Sequence, residues 1–533
     1  MIEPIIYIQS VGSIHRKEHG QFFTHPMIAK FMVDWVLMSG KTKIYDPAFG
    51  LGAFKEPIQN NTNIDFTASE LDAKILNYWT NFSGQDASFI KEEDYLLSWG
   101  QRHENIVCNP PYKRFQKFIN RDVVFEEFIT HTGIKLSGYT NTASAFLIKS
   151  LSELDNSGRL AYIMPSEFLN TGYGVIVKNK LIENGHLLSI ISLNCEKDVF
   201  PDATTSISII LYDASTYFSS VRFYSVNSIN SLTDILNTAP TTAIKTEELN
   251  PNAKWLPFFN KTEVAVDIGK TTTLEHYGRF SRGIATGANE FFILKPSEAR
   301  KKGLVSSELQ PCISKSSQIN KIIFDDEDYQ RLHDDDSPVL LFSADVNPTT
   351  TAGMYIKDGE AMGFNKRYLT KKRNPWYKAE VRRPAPLLLG VFSRCGYKII
   401  LNTSSILNLT CFHGFHPNLF GSKYIDHLFL YFLSNTGRSI LSLSIRKYGA
   451  SLDKFEPNDL NTALVPSPDF FDSIPQEAIT TAIQHIKDKS QIPDFIEAFF
   501  DELNHKQEIA SMHNLLFSNE KIHYPKASCN QAT

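Results

Sequence analysis

Cysteine is scarce and scattered. The six residues, Cys108, Cys195, Cys312, Cys395, Cys411 and Cys529, form no Cys-x-x-Cys pair and have no histidines at metal spacing, so neither a disulfide framework nor a metal site is expected. No stretch nears the roughly 18 uninterrupted apolar residues of a membrane span. The opening Met1-Ile2-Glu3-Pro4 also lacks the basic start of a secretory signal. A cytoplasmic protein without membrane contact is the expectation. An excess of positive charge is missing as well: the net charge is −4, without the basic footprint of many nucleic-acid binders. Its distribution says more than its sum. Between 361 and 400 ten cations (Lys366, Arg367, Lys371, Lys372, Arg373, Lys378, Arg382, Arg383, Arg394 and Lys398) face one acid, Glu380. Such a local excess can neutralise phosphates.

What is present is a globular composition, 42% hydrophobic and 21% charged over 533 residues. At a prior of about 150 residues per domain, at least two domains are expected. Apolar Ile28, Phe31, Met32, Trp35 and Val36 have the spacing of one helix face, with Pro26 in the first turn. Strand-like runs then alternate with helical ones: 43–49, a glycine turn and a helix, 64–69, a helix from Asp72, 105–108, a helix over 142–154, 159–165, a helix over 175–182, and 188–193. This rhythm predicts a parallel, doubly wound α/β sheet. The runs 206–212 and 221–226, close together, predict a closing antiparallel hairpin. The Thr-, Pro- and Asn-rich stretch 241–255 is read as a linker. It would separate a first domain, 1–240, from a second, 256–470, followed by a helical segment and tail, 471–533. The acidic run 324–336 reads as a solvated loop.

The chemistry concentrates at strand ends. "IVCNPPYKRF" (106–115) sets Asn109, Pro110, Pro111 and Tyr112 directly after an apolar run. Two prolines cannot continue a ladder and hold the backbone extended, so a strand stops there and a rigid loop presents an amide and an aromatic ring. Open α/β sheets place their ligands at that edge. In "YDPAFGLGAF" (45–54), Gly50 and Gly52 allow a tight turn, and Glu70 stands at the end of the next strand, where an acid binds ribose hydroxyls. Asp46 would oppose a pyrophosphate. The pocket therefore suits a ribose-bearing ligand with a cationic end, a description that S-adenosylmethionine fits.

Taken together these motifs resemble the DNA adenine N6-methyltransferases of the Taq type, over most of the chain. "GQFFTHPMIAKFMVDW" (20–35) resembles the family's first cofactor segment, and "DPAFGLGAF" its glycine-turn motif. The resemblance implies an S-adenosylmethionine site of Thr24, Asp46, Pro47, Ala48, Phe49, Gly50, Gly52, Glu70, Asp94, Tyr95 and Asn109, with Glu70 on the ribose, Asp94 on the adenine amine and Tyr95 beside its ring. Asp46 stands where some relatives have Glu. "NPPY" is then the catalytic motif, with Asn109, Pro110, Pro111 and Tyr112 as its members. Phe200, in "NCEKDVFPDATTSISIILY", would stack with Tyr112 on a flipped target base. The plainer readings have Thr24 capping the helix that follows it and Phe200 sitting in a core.

Segments 281–294 and 445–460 resemble parts of the family's recognition region. The implied architecture is a Rossmann-like methyltransferase sheet followed by a mixed α/β target-recognition domain. Lys366, Arg367, Lys371, Lys372, Arg373, Arg382, Arg383 and Arg394 are its candidate DNA contacts. Double-stranded DNA is the implied partner. The implied setting is a restriction-modification system, with a monomeric enzyme and any cognate endonuclease acting as a separate chain. Three other readings are weighed: an RNA or protein (glutamine) N-methyltransferase, against which the length of the second region speaks; a DNA-binding module that has lost catalysis, against which the intact motifs at 24, 46, 70, 94 and 109 speak; and a modification subunit dependent on a specificity chain, which would carry a helical domain ahead of the cofactor segment.

Overall fold

The structure, a computed structural model, describes residues 20–503 except 84–86, 114, 116–119, 196–205, 260–267, 381, 394–395, 443–445, 449–451 and 490–491, together with Tyr7, Val11 and His15. The chain divides into two compact units, Met1–Glu263 with Lys447–Ala450 and Glu508–Thr533, and Val264–Arg446 with Ser451–Gln507.

The first unit runs α1 (Pro26–Leu37), β1 (Lys43–Asp46), β2 (Asp65–Glu70), α2 (Ala73–Tyr78), β3 (Ile90–Glu92), β4 (His103–Cys108), α3 (Arg121–Thr132), α4 (Thr142–Glu153), β5 (Leu154–Pro165), α5 (Gly174–Ile182), β6 (Leu187–Leu193), β7 (Ile207–Asp213), β8 (Ser220–Val226) and β9 (Thr242–Lys245). The strands form one sheet in the order β3-β2-β1-β4-β5-β7-β6-β8-β9. β1 pairs in parallel with β2 on one side and β4 on the other, so the strand order reverses there. In such a sheet the crevice at the carboxyl ends of those two strands is the ligand site.

Both faces of the sheet are covered, which explains its nearly unbroken apolar strands. On β5, Leu160, Tyr162 and Met164 enter one core with Phe146 and Leu147 of α4, while Ala161 and Ile163 enter the other with Ile28, Met32 and Val36 of α1. Successive side chains of a strand point to opposite faces, and each large apolar one so buried contributes about 1.5–3 kcal/mol.

Four expectations are corrected. The glycine turn leads not into a helix but into a single 3-10 turn, Glu56–Ile58. β7 and β8 form no hairpin: β7 inserts antiparallel between β5 and β6, and β8 runs parallel to β6. All seven residues of β7 are buried, a demand that neighbours on both edges and both faces satisfy. The stretch 241–255 is not a linker. β9 pairs with β8, and Trp255, with no exposed surface, packs on Phe223 and Phe258 of the first core. The first unit accordingly continues to Glu263.

The second unit contains a five-stranded sheet in the order Gly278–Arg282, Phe412–Pro417, Leu387–Gly390, Ile399–Asn402 and Ile323–Phe324, and a four-stranded one built from shorter strands. The apolar helix Ile425–Leu433 is buried at seven of its nine positions and packs against Gln476–Lys489, so the segment from 471 to 507 belongs to this unit. The fourth correction concerns 324–336, whose core is a helix, Asp326–Asp334. Asp325 caps it by accepting from the Asp328 N–H at 3.0 Å, and Arg331 and His333 lie in its last turn. Acids at the first turn and cations at the last suit the helix dipole.

Candidate active site

At the end of β1 the chain turns over Gly50 and Gly52, with φ of +56° and +77°. A Cβ at Gly52 would stand 2.7 Å from the Trp79 ring and 2.9 Å from Phe49, so space as well as torsion demands glycine. Thr24, Pro47, Ala48, Phe49, Gly50, Gly52, Glu70, Asp94, Tyr95, Asn109, Pro110 and Pro111 line one cavity of about 590 Å³. These residues come from five separate segments of the sequence and form a minor part of the wall.

Glu70, at the end of β2, ties two turns together. One carboxylate oxygen accepts from the Gly50 N–H at 2.8 Å, the other from Leu71 at 2.9 Å and Asp72 at 2.8 Å. Burial nevertheless raises its pKa. Asp94 caps the turn Tyr95–Leu97, accepting from the Leu96 N–H at 3.1 Å. The buried Tyr95 donates to Glu153 at 3.1 Å, and Lys149, itself without exposed surface, lies 4.0 Å from the ring centroid and 2.5 Å from Glu153. This pair on α4, which sequence reasoning missed, fixes the ring. Its signal was a Lys and a Glu four apart in an otherwise small and apolar helix.

Asp46 and Tyr112 do not line the cavity. Asp46 is fully buried beneath the turn, where Oδ1 accepts from the Ala48 N–H at 3.0 Å and Oδ2 has no partner among the described residues. Burial, opposed only in part by that hydrogen bond, pushes its carboxyl up to about 8. The folded protein then holds a proton that the unfolded chain releases, so this group's contribution to stability falls as pH rises from the ordinary carboxylate range towards 8. Asp46→Asn is expected to flatten that fall. Thermal midpoints of the cofactor-free protein between pH 5 and 8 check it, and parallel curves for parent and variant would refute it.

Asn109 is held on three sides. Its Nδ2 donates to the Phe22 carbonyl at 2.7 Å and to Thr24 Oγ1 at 3.1 Å, and its Oδ1 accepts from the Tyr112 hydroxyl at 2.9 Å. A carbonyl can only accept, so the amide nitrogen faces residues 22–24. The Tyr112 ring rests against Phe22, centroids 5.2 Å apart. Thr142, the first residue of α4, donates to the Pro111 carbonyl and accepts from the Lys113 N–H at 3.0 Å. Gly20, Phe22, Thr142 and Phe146 are wall residues that sequence reasoning did not select. Thr24 is not a helix cap: His25 fills that position, its Nδ1 accepting from Met27 N–H at 3.2 Å. Phe200 lies outside the described residues.

The basic segment of the second unit divides in two. Lys366, Arg367, Tyr368, Leu369, Lys371 and Lys372 are exposed around Thr370, which is buried and donates to the carbonyls of Phe364 and Arg367. Arg383 is exposed too. Arg373 and Arg382 are instead tied into the fold, Arg373 to the Ala285 and Thr286 carbonyls and Arg382 to Ser281 and the Arg282 carbonyl. Arg394 lies outside the described residues.

Residues 40–200 match the family model of the Eco57I restriction-modification methylase, and 259–502 that of the C-terminal domain of the type II methyltransferase M.Eco57I. The chain is 36% identical over 477 residues to the type II methyltransferase M.AccI of Acinetobacter calcoaceticus, covering 86% of this chain and 87% of that one. It is 22% identical over 466 residues to M.XamI of Xanthomonas campestris pv. amaranthicola, covering 84% and 85%. Among solved structures, the type IIL restriction-modification enzyme MmeI in complex with DNA is similar in fold, with a TM-score of 0.60 at 12% identity over 97% of this chain and 76% of that one. No helix among the described residues is long and apolar enough to cross a membrane. The sheet with its cavity at the strand reversal, and a relative matched over most of both lengths, place the chain in the type II restriction-modification methyltransferases, S-adenosylmethionine-dependent enzymes that methylate DNA.

Proposed function

We propose that the reaction is methyl transfer to N6 of adenine in duplex DNA, by an enzyme of the Taq type. The observation that carries this reading is the Asn109-Pro110-Pro111 loop, which closes the same cavity as Glu70 and Tyr95. The cavity fits S-adenosylmethionine. Five carboxyl side chains, Glu56, Glu70, Asp72, Glu93 and Asp94, line it against two lysines, Lys55 and Lys113. Such a wall favours a cationic ligand over a phosphate-bearing one. Glu70 would hold the ribose and Asp94 with Tyr95 the adenine end, while the glycine turn admits the ligand close to backbone. When bound, S-adenosylmethionine supplies a methyl group on a sulfonium.

The chain's part is to make a weak nucleophile competent. The lone pair of an adenine amine is delocalised into its ring. Asn109 Oδ1 and the Pro110 carbonyl accept hydrogen bonds from the amine hydrogens and favour a pyramidal nitrogen. These contacts strengthen as positive charge builds on nitrogen, which is the preference for the transition state that catalysis requires. In-line placement supplies much of the remainder. The target adenine leaves the duplex stack to reach the loop, with Tyr112 and Phe200 holding its ring at roughly 1–3 kcal/mol per stacked base. Incubation of the full chain with labelled S-adenosylmethionine and unmethylated genomic DNA, followed by mapping of the modified bases, tests the reading. Label on N6 of adenine in one short motif is expected; label on cytosine, or none, would reject it.

The exposed turn 366–372 of the second unit is the proposed phosphate contact. A protein that loses three phosphate contacts loses a salt-dependence slope of about 3. Lys366→Ala/Lys371→Ala/Lys372→Ala is therefore expected to raise the DNA KM by at least about tenfold and to lower that slope by about 2 to 3, with cofactor affinity unchanged. An unchanged slope would remove the turn from the interface. The enzyme is proposed to act as a monomer, with a cognate endonuclease as a separate chain.

A further inference from the structure

Residues 20–24 are in neither helix nor strand beyond the Gly20 turn, and their contacts alternate. The Gly20 carbonyl accepts from the Tyr112 N–H at 3.2 Å, the Phe22 carbonyl and Thr24 Oγ1 both accept from Asn109, and the Phe22 ring lies on Tyr112. The residues between turn the other way. Gln21 donates to the Asp72 carboxylate at 2.6 Å, and Phe23 meets Tyr7 edge to face at 5.7 Å. Asp72 is the N-cap of α2, two residues beyond Glu70. A period of two belongs to extended chain, here with one face on the Asn-Pro-Pro-Tyr loop and the other on the start of α2. At Gly20 φ is +66°, and a Cβ would come within 2.9 Å of the Tyr112 nitrogen, so no side chain fits between the two segments.

We infer that this segment is a strap that orients the Asn109 amide, with Phe22 and Thr24 as positioning residues; the inference rests on Asn109 being the acceptor for the target amine. An amide has two planar orientations, related by a 180° flip. The Phe22 carbonyl and the Thr24 hydroxyl hold the nitrogen, and the Tyr112 hydroxyl holds the oxygen, so one orientation satisfies all three. The flipped amide would set its oxygen against the Phe22 carbonyl, two acceptors face to face. Thr24 also lines the cofactor cavity. Thr24 therefore belongs both to the wall of the cofactor's room and, through its hydroxyl, to the hydrogen bonds of the group that receives the target amine, and the strap links the two.

The test separates positioning from simple cofactor binding. Single-turnover transfer from labelled S-adenosylmethionine to unmethylated genomic DNA is measured at saturating cofactor for the full-length parent, Thr24→Val, Thr24→Ser and Gly20→Ala, with cofactor affinity measured by calorimetry. Thr24→Val keeps size and shape but cannot accept from Asn109. Its saturated rate is expected to fall about tenfold, the worth of one hydrogen bond, with Thr24→Ser restoring most of it. Gly20→Ala, which pushes the strap from Tyr112, is expected to lose rate at saturation while still binding cofactor. If Thr24→Val and Gly20→Ala transfer at the parent rate once saturated, and only cofactor affinity changes, the strap is overturned and Thr24 is a cofactor contact alone. A parent that labels no DNA would instead reject the proposed function, and the strap with it.

Discussion

Replacing Asn109 by alanine is expected to slow methyl transfer by on the order of 10²–10³-fold, the usual consequence of removing one preorganised group that meets charge developing in the transition state. Cofactor binding is expected to survive. The wall formed by Gly50, Glu70 and Tyr95 is held by its own contacts, the carboxylate of Glu70 on three backbone N–H groups and the Tyr95 hydroxyl on Glu153. None of these involves Asn109. The variant also frees the Tyr112 hydroxyl from its acceptor, so the loss reports the amide and its setting together. Single-turnover rates alongside calorimetric cofactor titration make the measurement. Transfer within tenfold of the parent would sink the assignment of Asn109, whatever the cofactor affinity.

The second large effect is on stability. Trp255→Ala is expected to destabilise the first unit by about 3–5 kcal/mol, the cost of emptying a large core site. Trp255 has no exposed surface, its indole N–H donates to the Asn250 carbonyl at 2.9 Å, and its ring meets Phe223 edge to face at 6.0 Å. Lys178 reaches the same corner, donating to the Leu169 and Ala253 carbonyls, so the segment is tied to α5 as well. A drop of roughly 10 °C in the melting midpoint would be the readout. A change of under about 1 kcal/mol would mean that 241–255 is dispensable to the first unit, as a linker would be.

The contrast between these two sites says what could be read beforehand. The end of β4 and the loop that carries Asn109 were legible because two prolines after an apolar run leave the backbone little choice. The alternation of β5, β4 and β7 was legible as apolar runs, and so was the amphipathic α1. Trp255 was not legible, because one large side chain at the end of a Thr-, Pro- and Asn-rich stretch carries no period; its anchoring is entirely tertiary. The place of β7 was hidden for a related reason. Its run announces a strand buried all round but not which two strands flank it, and proximity in sequence to β8 suggested the wrong neighbour. Asp46 was chosen for its motif, yet charge and position alone do not separate an acid on a wall from one beneath it. In the second unit, strands of two residues such as Ile293–Leu294, Ile323–Phe324 and Leu407–Asn408 are too short to display any alternation.

The insertion of β7 also governs the order in which the first unit can be completed during synthesis. β5 and β6 are made before it, ending at Pro165 and Leu193; until residues 207–213 leave the ribosome β5 lacks a partner along one edge, and β6, whose other neighbour β8 is made later still, along both. An open edge flanked by apolar residues is a template for pairing with another chain. The nascent protein therefore passes through a window of roughly twenty to fifty residues of elongation, about 1 to 10 s at ordinary translation rates, in which its central strands keep unpaired edges.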